Sequence, residues 1–280
     1  MTTAISAALL AMMLIGAADT INKRARQRAV PIGSYLIVQS IFYTLIILLL
    51  ASFSGGIKWQ RADLVFGLLG AVFGFTGFTL MLHSLTHGRA SVNYAIFRSS
   101  FVFSSAAALL MLNERLVISK TAGIALAVFA IVLFFYEPKR QTVVFKSLIT
   151  ALIAMFVAAG FQLIVKISTR AFSSPLSFIL LMNIFFAIFV LAYNIILGSF
   201  KFPRSTFLLA PFNGMLMGLG TFFYVTALQK GDLSTAIPII QLSFIITAIL
   251  STIFLKEEIP IRKVFGIICA AIAIIILGIF

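Results

Sequence analysis

Ten apolar runs of about 20 residues, joined by short polar connections, make up almost all of the chain. A helix that crosses a bilayer needs about 20 consecutive apolar residues, so each run predicts a membrane-spanning helix. An outer-membrane β-barrel would instead show alternating segments of about ten residues. The runs, numbered spans 1 to 10, lie at 3–22, 31–53, 63–85, 91–112, 119–136, 147–167, 175–198, 206–228, 233–255 and 262–279. We therefore predict an all-α integral membrane protein with ten transmembrane helices.

Composition excludes several classes of protein. The 280 residues are 62% hydrophobic and 10% charged, whereas a soluble domain is about half apolar and about a quarter charged. Ten spans occupy about 200 residues, which leaves no room for a separate catalytic, nucleotide-binding or DNA-binding module. The net charge of +14 resides in short connections, where it faces anionic lipid. We expect membrane lipid as a partner and no nucleic acid.

The chain matches itself without gaps at an offset of 143 residues. Between positions 77 and 131, 16 of 55 residues are identical to their counterparts, whereas composition alone gives about five. Each copy holds five spans, an odd number, so the second copy enters the membrane from the opposite side. We predict two inverted five-helix repeats, at 1–137 and 144–280. Inverted repeats are typical of secondary transporters.

Corresponding motifs follow the fourth span of each copy, which itself opens with Gly-x-x-Ser. Residues 112–116 read Leu-Asn-Glu-Arg-Leu and lead to Gly123, and residues 255–259 read Leu-Lys-Glu-Glu-Ile and lead to Gly266. Residues 227–234 form the matching link between the third and fourth spans of the second copy. These motifs resemble the two EamA repeats of the drug/metabolite transporter superfamily, and the resemblance covers essentially the whole chain.

The resemblance implies a transporter, not an enzyme, in the cytoplasmic (inner) membrane of a bacterium. Members carry small-molecule metabolites such as amino acids, nucleotide derivatives and vitamins, and export is slightly favoured over uptake. They often have a proline in the middle of spans 4 and 9, whereas here only Pro238 is present. Two other classes remain open: a membrane-embedded lipid-modifying enzyme, which would need clustered acids or histidines, and a non-transporting scaffold.

Arg98 lies about eight residues into span 4. A charge near the middle of the membrane costs at least about 2.5 to 3.5 kcal/mol unless it faces water or a partner. A guanidinium that lines a central cavity would hold a carboxylate or phosphate through two hydrogen bonds. A structural ion pair, or an arginine that reaches the headgroups, is an equal alternative. Ser91, Tyr94 and Ser105 share its helical face, and Gln241 is its counterpart in the second copy.

Asp19 is the one acid clearly inside a predicted span, and its counterpart is Gln162. Counting spans places it in the same half of the membrane as Arg98, within reach of contact. One interpretation makes it a proton-coupling carboxylate, and the other makes it the counter-ion of Arg98 or an interfacial residue near Lys23. The sequence leaves these interpretations open.

Other polar side chains inside the spans most often hydrogen-bond one helix to another, but those far from the loops are also candidates for a cavity lining. The predicted substrate-binding residues are Arg98, Tyr94, Asn93, Gln241, Gln162, Asn183 and Tyr224, with Asp19 as the candidate for coupling. We assign no catalytic residue, no cofactor and no metal ligand, and no ATP-binding G-x-x-x-x-G-K-[ST] motif occurs.

Glu114 and Glu257 recur at the turns that follow spans 4 and 9. They are interpreted either as gate residues or, more simply, as carboxylates near the N-terminus of the following helix, worth a few tenths to 1 kcal/mol. We favour the simpler interpretation.

The Lys and Arg residues of the connections divide thirteen to seven between the two membrane faces. The face at which span 1 ends has thirteen, so the positive-inside rule favours both termini outside the cell. The family resemblance implies the reverse, and both orientations stay open.

Overall fold

Twelve helices account for almost all of the chain that the structure describes. The computed structural model describes residues 2–87, 90–115, 117–136, 145–172, 174–197, 200–256 and 258–279, and these ranges contain no β-strand. The helices are α1 (Thr2–Gln27), α2 (Ile32–Phe53), α3 (Arg61–His87), α4 (Ala90–Arg98), α5 (Ser100–Met111), α6 (Ile118–Phe135), α7 (Phe145–Ser168), α8 (Pro175–Leu197), α9 (Arg204–Lys230), α10 (Leu233–Gln241), α11 (Phe244–Leu255) and α12 (Ile261–Ile279). They form ten candidate membrane spans, because α4 with α5 and α10 with α11 each make one span. The predicted all-α membrane fold is confirmed.

The first helix continues beyond the predicted span. It ends at Gln27, five residues after the expected boundary at 22, so most of the basic cluster is helical and does not form a loop. Lys, Arg and Gln are good helix formers, and their long side chains carry the charge to the headgroups while the stem stays against the protein.

Both the fourth and the ninth spans are interrupted near their middle. Pro238 lies inside α10 and has no N–H to donate, and α10 ends three residues later at Gln241. Span 4 is interrupted without a proline. There the N–H of Ser99 is shared between two carbonyl groups of the preceding turn, and its hydroxyl donates to the carbonyl of Ala95 at 2.8 Å. Such back-bonding by serine bends helices, so the absence of a proline does not keep span 4 straight.

Glycines allow the helices to approach closely, as expected for packing in lipid. A Cβ atom added at Gly214 of α9 would lie 2.3 Å from the carbonyl oxygen of Gln39 in α2. A Cβ atom at Gly16 of α1 would lie 2.6 Å from the carbonyl oxygen of Ser243, just before α11. Gly67 of α3 packs in the same way on α8.

The packing of one half is largely repeated in the other, and the clearest difference concerns α5 and α10. α1 packs on α9, α10 and α11, and in the same way α7 packs on α3, α4 and α5. α5 also packs along α10, but its counterpart pair, α11 and α4, is not among the pairs with substantial contact in the described residues. We call the face where α1 and α10 begin the terminal face and the face where α1 and α11 end the basic face. α5 and α10 thus meet in the half of the bundle next to the terminal face, whereas among the described residues α4 and α11 do not meet in the half next to the basic face. In this sense alone we call the terminal face closed and the basic face parted.

Candidate functional site

Arg98 and Asp19 form an ion pair at the middle of the bundle. Arg98 is the last residue of α4, and its Nη2 atom lies 2.7 Å from Oδ2 of Asp19 in α1. Nη1 donates to the carbonyl oxygen of Gln241 at 3.0 Å and to Oγ of Ser243 at 2.9 Å. That carbonyl is at the C-terminal end of α10, where carbonyl groups lack helical partners and the helix dipole is negative. The interruption of span 9 therefore supplies a binding point for the guanidinium.

The pair is not sealed inside protein. The side chain of Arg98 is 12% exposed and that of Asp19 is 29% exposed. Asp19 lies eight residues before the end of α1, in the half of the bundle next to the parted basic face. Two N–H groups of the guanidinium, Nε and the second hydrogen of Nη2, have no partner among the described residues. These donors suit an incoming anion.

Aromatic side chains lie beside the ion pair. Tyr94 is one turn before Arg98 on α4, close to its charge, and its ring stacks on Phe135 with 6.2 Å between centroids. Phe135 contacts Phe244 at the start of α11, with ring centroids 5.7 Å apart. Phe134 packs on the same ring at 4.5 Å. A charged group and an aromatic surface thus meet at one place.

The corresponding position in the second half is neutral and buried. Gln162, the counterpart of Asp19, is 2% exposed. Its amide donates to Oγ of Ser100 at 2.9 Å and accepts from Oγ of Ser104 at 2.5 Å. Gln241 donates weakly to the same Ser100 at 3.5 Å. The structure therefore brings together Arg98, Asp19, Gln241 and Gln162 around the two interruptions.

Two of the predicted substrate-binding residues join helices elsewhere. Asn93 donates to the carbonyl of Ser84 at 2.8 Å and to Oγ of Ser147 at 2.9 Å. Asn183 donates to the carbonyl of Ser40 at 3.0 Å. Both amides are therefore engaged in helix packing, and their role in binding stays a prediction.

Tyr224 of α9 and Ser105 of α5 have buried hydroxyl groups without a hydrogen-bond partner among the described residues. The ring of Tyr224 lies 6.4 Å from that of Phe161. The side chain of Ser91, the remaining member of the predicted polar face, lies outside the described part of the chain. That polar face of span 4 thus contributes Tyr94 and Arg98 to the central cluster.

The interpretation of Glu114 as a carboxylate near the following helix was wrong. Its carboxylate accepts from the backbone N–H groups of Leu233 at 2.7 Å and Ser234 at 3.0 Å, and from Oγ of Ser234. Those residues begin α10, in the other half of the molecule, whereas the following helix is α6. The counterpart, Glu257, lies outside the described residues.

Two lysines that sequence reasoning missed also hold the terminal face together. Lys120 of α6 pairs with Asp232 at 2.8 Å, immediately before α10. Lys166 of α7 donates to the carbonyl oxygens of Leu228 at 2.7 Å and Gly231 at 2.5 Å. Each lies within two residues of the end of its predicted span, where a lysine can also reach the headgroups, so the sequence alone does not indicate these contacts.

Comparison with known proteins agrees with this architecture. No curated protein matches the chain significantly. A solved structure described as "Crystal structure of protein" is similar in fold, with a TM-score of 0.77 and 12% identity over 99% of this chain and 95% of its own. The sequence model of the EamA-like transporter family matches residues 2–136 and again 145–279. With both of its halves matched, this ten-span membrane chain belongs to the EamA-like transporter family, within the drug/metabolite transporter superfamily.

Proposed function

We propose that the protein is a secondary transporter that moves a small polar metabolite with a carboxylate or phosphate group across the bacterial cytoplasmic membrane by alternating access. Export is the direction that the family favours slightly. The observation that carries the proposal is the accessible ion pair of Arg98 and Asp19, which lies where the packing of the two halves differs.

The contact of α5 with α10, which α4 and α11 do not repeat among the described residues, supports alternating access. If the two halves exchange their packing, α4 closes on α11 while α5 parts from α10. The basic face then closes and the terminal face opens, around the interruptions at Ser99 and Leu242. Transporters with inverted repeats work in this way about a midplane site. Family membership and the inverted repeat both support this cycle.

Arg98 supports an anionic group on the substrate. A carboxylate or phosphate would accept from the guanidinium N–H groups that the described residues leave without a partner. Asp19 would repel a purely anionic molecule, because it lies next to the same guanidinium. A metabolite that also has an ammonium or hydroxyl group fits better, since that group satisfies Asp19. The Tyr94 and Phe135 rings favour an apolar part on the same molecule.

Asp19 is the proposed coupling group. A proton on its carboxylate would weaken the ion pair and release Arg98 for an anion, so that proton binding and substrate binding are linked. The polar groups around Asp19 are Arg98, Asn22, Arg26, Tyr35 and Tyr94. Equal transport by wild type and Asp19→Asn, with and without a pH gradient, would leave Asp19 as a counter-ion only.

Thermal unfolding of detergent-purified protein tests the binding proposal. The probes are 3-phenylpropionate, phenyl phosphate, phenylalanine and phenethylamine, which share a ring and differ in charge. A ligand at 100 times its Kd adds about 2.7 kcal/mol to the native state. We expect the zwitterionic phenylalanine to stabilise wild type most and the anionic probes to stabilise it less. Arg170→Gln, a control at an exposed loop arginine, should respond as wild type does, and Arg98→Ala should not respond.

Two results would overturn the proposal. One is stabilisation of wild type and Arg98→Ala alike by the same probes, which would make Arg98 structural. The other is wild-type uptake or efflux in proteoliposomes by an Arg98→Ala protein that inserts and folds. A stabilising probe is then taken into proteoliposomes as the first transport substrate.

A further inference from the structure

The N-terminus of α10 is capped by a residue of the opposite half. The first N–H groups of a helix have no partner within the helix and are usually capped by the residue just before it. Here that residue, Asp232, makes no such hydrogen bond and pairs with Lys120 instead. The carboxylate of Glu114, just after α5, takes the N–H groups of Leu233 and Ser234.

This cap exists only while α5 and α10 are together. Glu114 sits at the end of α5, and its partners sit at the start of α10, so parting the two helices removes the cap. The contact between α5 and α10 is also the largest one that lacks a counterpart among the described residues. The cap and the asymmetry of the bundle therefore have one structural origin.

The Lys120–Asp232 ion pair beside the cap is a second difference between the terminal face and the basic face. Lys120 is 8% exposed and bonded to Asp232. In the sequence, the counterparts of these residues are Lys263 and Arg89, which are two cations. An acid–base pair at the terminal face therefore has two basic residues as its sequence counterparts, whereas the glutamate recurs in both halves.

We propose that Glu114 is a positioning residue of the transport cycle: it latches α10 to α5, keeps the terminal face closed, and is released when that face opens. The Lys120–Asp232 pair makes the closed terminal face the resting state. This inference rests on the proposed alternating access and adds to it the residue that sets the balance between the two states.

Thiol labelling without substrate tests the latch. In a Cys269→Ser background, a cysteine at Ala236 reports opening of the terminal face, because Ala236 in α10 is buried. A cysteine at the half-buried Tyr94 reports opening of the basic face. Glu114→Gln should raise the labelling rate at 236 and lower that at 94, each by about threefold or more. Asp232→Asn should act in the same direction.

Asp63→Asn is the matched control. The Asp63 carboxylate accepts from the N–H of Gln60 at the start of α3. Among the described residues α3 has no substantial contact with α5 or α10, so this substitution should change neither rate. Faster labelling at 236 with no decrease at 94 would overturn the proposal, because it would show local fraying of α10. Unchanged labelling at both positions would also overturn it.

A milder variant distinguishes loss of the latch from a folding defect of Glu114→Gln. Ser234→Ala removes the hydroxyl contact to Glu114 but keeps both backbone hydrogen bonds, so it should shift both rates in the same directions by less. No shift in this variant, together with unfolded Glu114→Gln protein, would count against the latch. If Glu114→Gln raises labelling at 236 and lowers it at 94 but no probe is transported, the latch is supported. Only the proposed substrate class is then refuted.

Discussion

Substituting Arg98 and Asp19 by the residues at the equivalent positions of the second half should show that the central cluster can stay stable while transport is lost. Arg98→Gln and Asp19→Gln introduce the residues found at positions 241 and 162. Loss of one partner of a buried ion pair costs about 3 to 5 kcal/mol, because a charge stays uncompensated. Since Asp19 is 29% exposed, water screens it, and we expect about 2 kcal/mol for either single variant.

The double variant should recover most of that loss. Two glutamines keep hydrogen bonds without buried charge, so its stability should lie within about 1 kcal/mol of wild type. The coupling energy from the cycle of four proteins is then about 3 to 4 kcal/mol. Equilibrium unfolding in mixed micelles gives the stabilities, and proteoliposome flux of a stabilising probe gives the function. The double variant should be stable and inactive.

Two results would refute this reasoning. Additive losses in the double variant would mean that Arg98 and Asp19 do not stabilise each other. Wild-type flux by the double variant would mean that neither charge is needed for transport.

Three further variants test the packing around the site. Gly214→Ala should destabilise by about 1 to 3 kcal/mol, because its Cβ would meet the backbone oxygen of Gln39; an unchanged unfolding temperature would contradict this. Gln162→Leu should lose about 1 to 3 kcal/mol by unpairing buried serines, measured by denaturant unfolding with Gln162→Glu compared alongside. Lys166→Met should speed backbone hydrogen exchange around Gly231, whose carbonyl it binds, and equal exchange in both proteins would show that the lysine does not restrain this turn.

The spans and the central ion pair could be predicted because each rests on a local or countable signal. Apolar runs of the right length identify membrane helices. Counting spans placed Asp19 and Arg98 in the same half of the membrane, and the structure shows the contact.

The remaining features depend on contacts that no local pattern reports. The cap on α10 joins residues 119 positions apart, so Glu114 looked like a residue of its own turn. The interruption of span 4 depends on the hydroxyl of Ser99, which donates to a carbonyl of its own helix. Ser104 in the same span makes a similar contact without ending its helix. The end of α1 depends on where long basic side chains reach the headgroups, which composition does not specify.

Arg98 and Asp19 are charged whereas their counterparts Gln241 and Gln162 are neutral, and this difference requires two halves of different sequence. Two identical five-helix subunits assembled as a dimer would have either two central ion pairs or none, because symmetry copies every residue. A second buried pair would add a second desolvation cost. Fusion into one chain removes this restriction, since each half then changes independently. A single charged end also gives a bound molecule one orientation relative to the bilayer, which it keeps while the two faces open in turn.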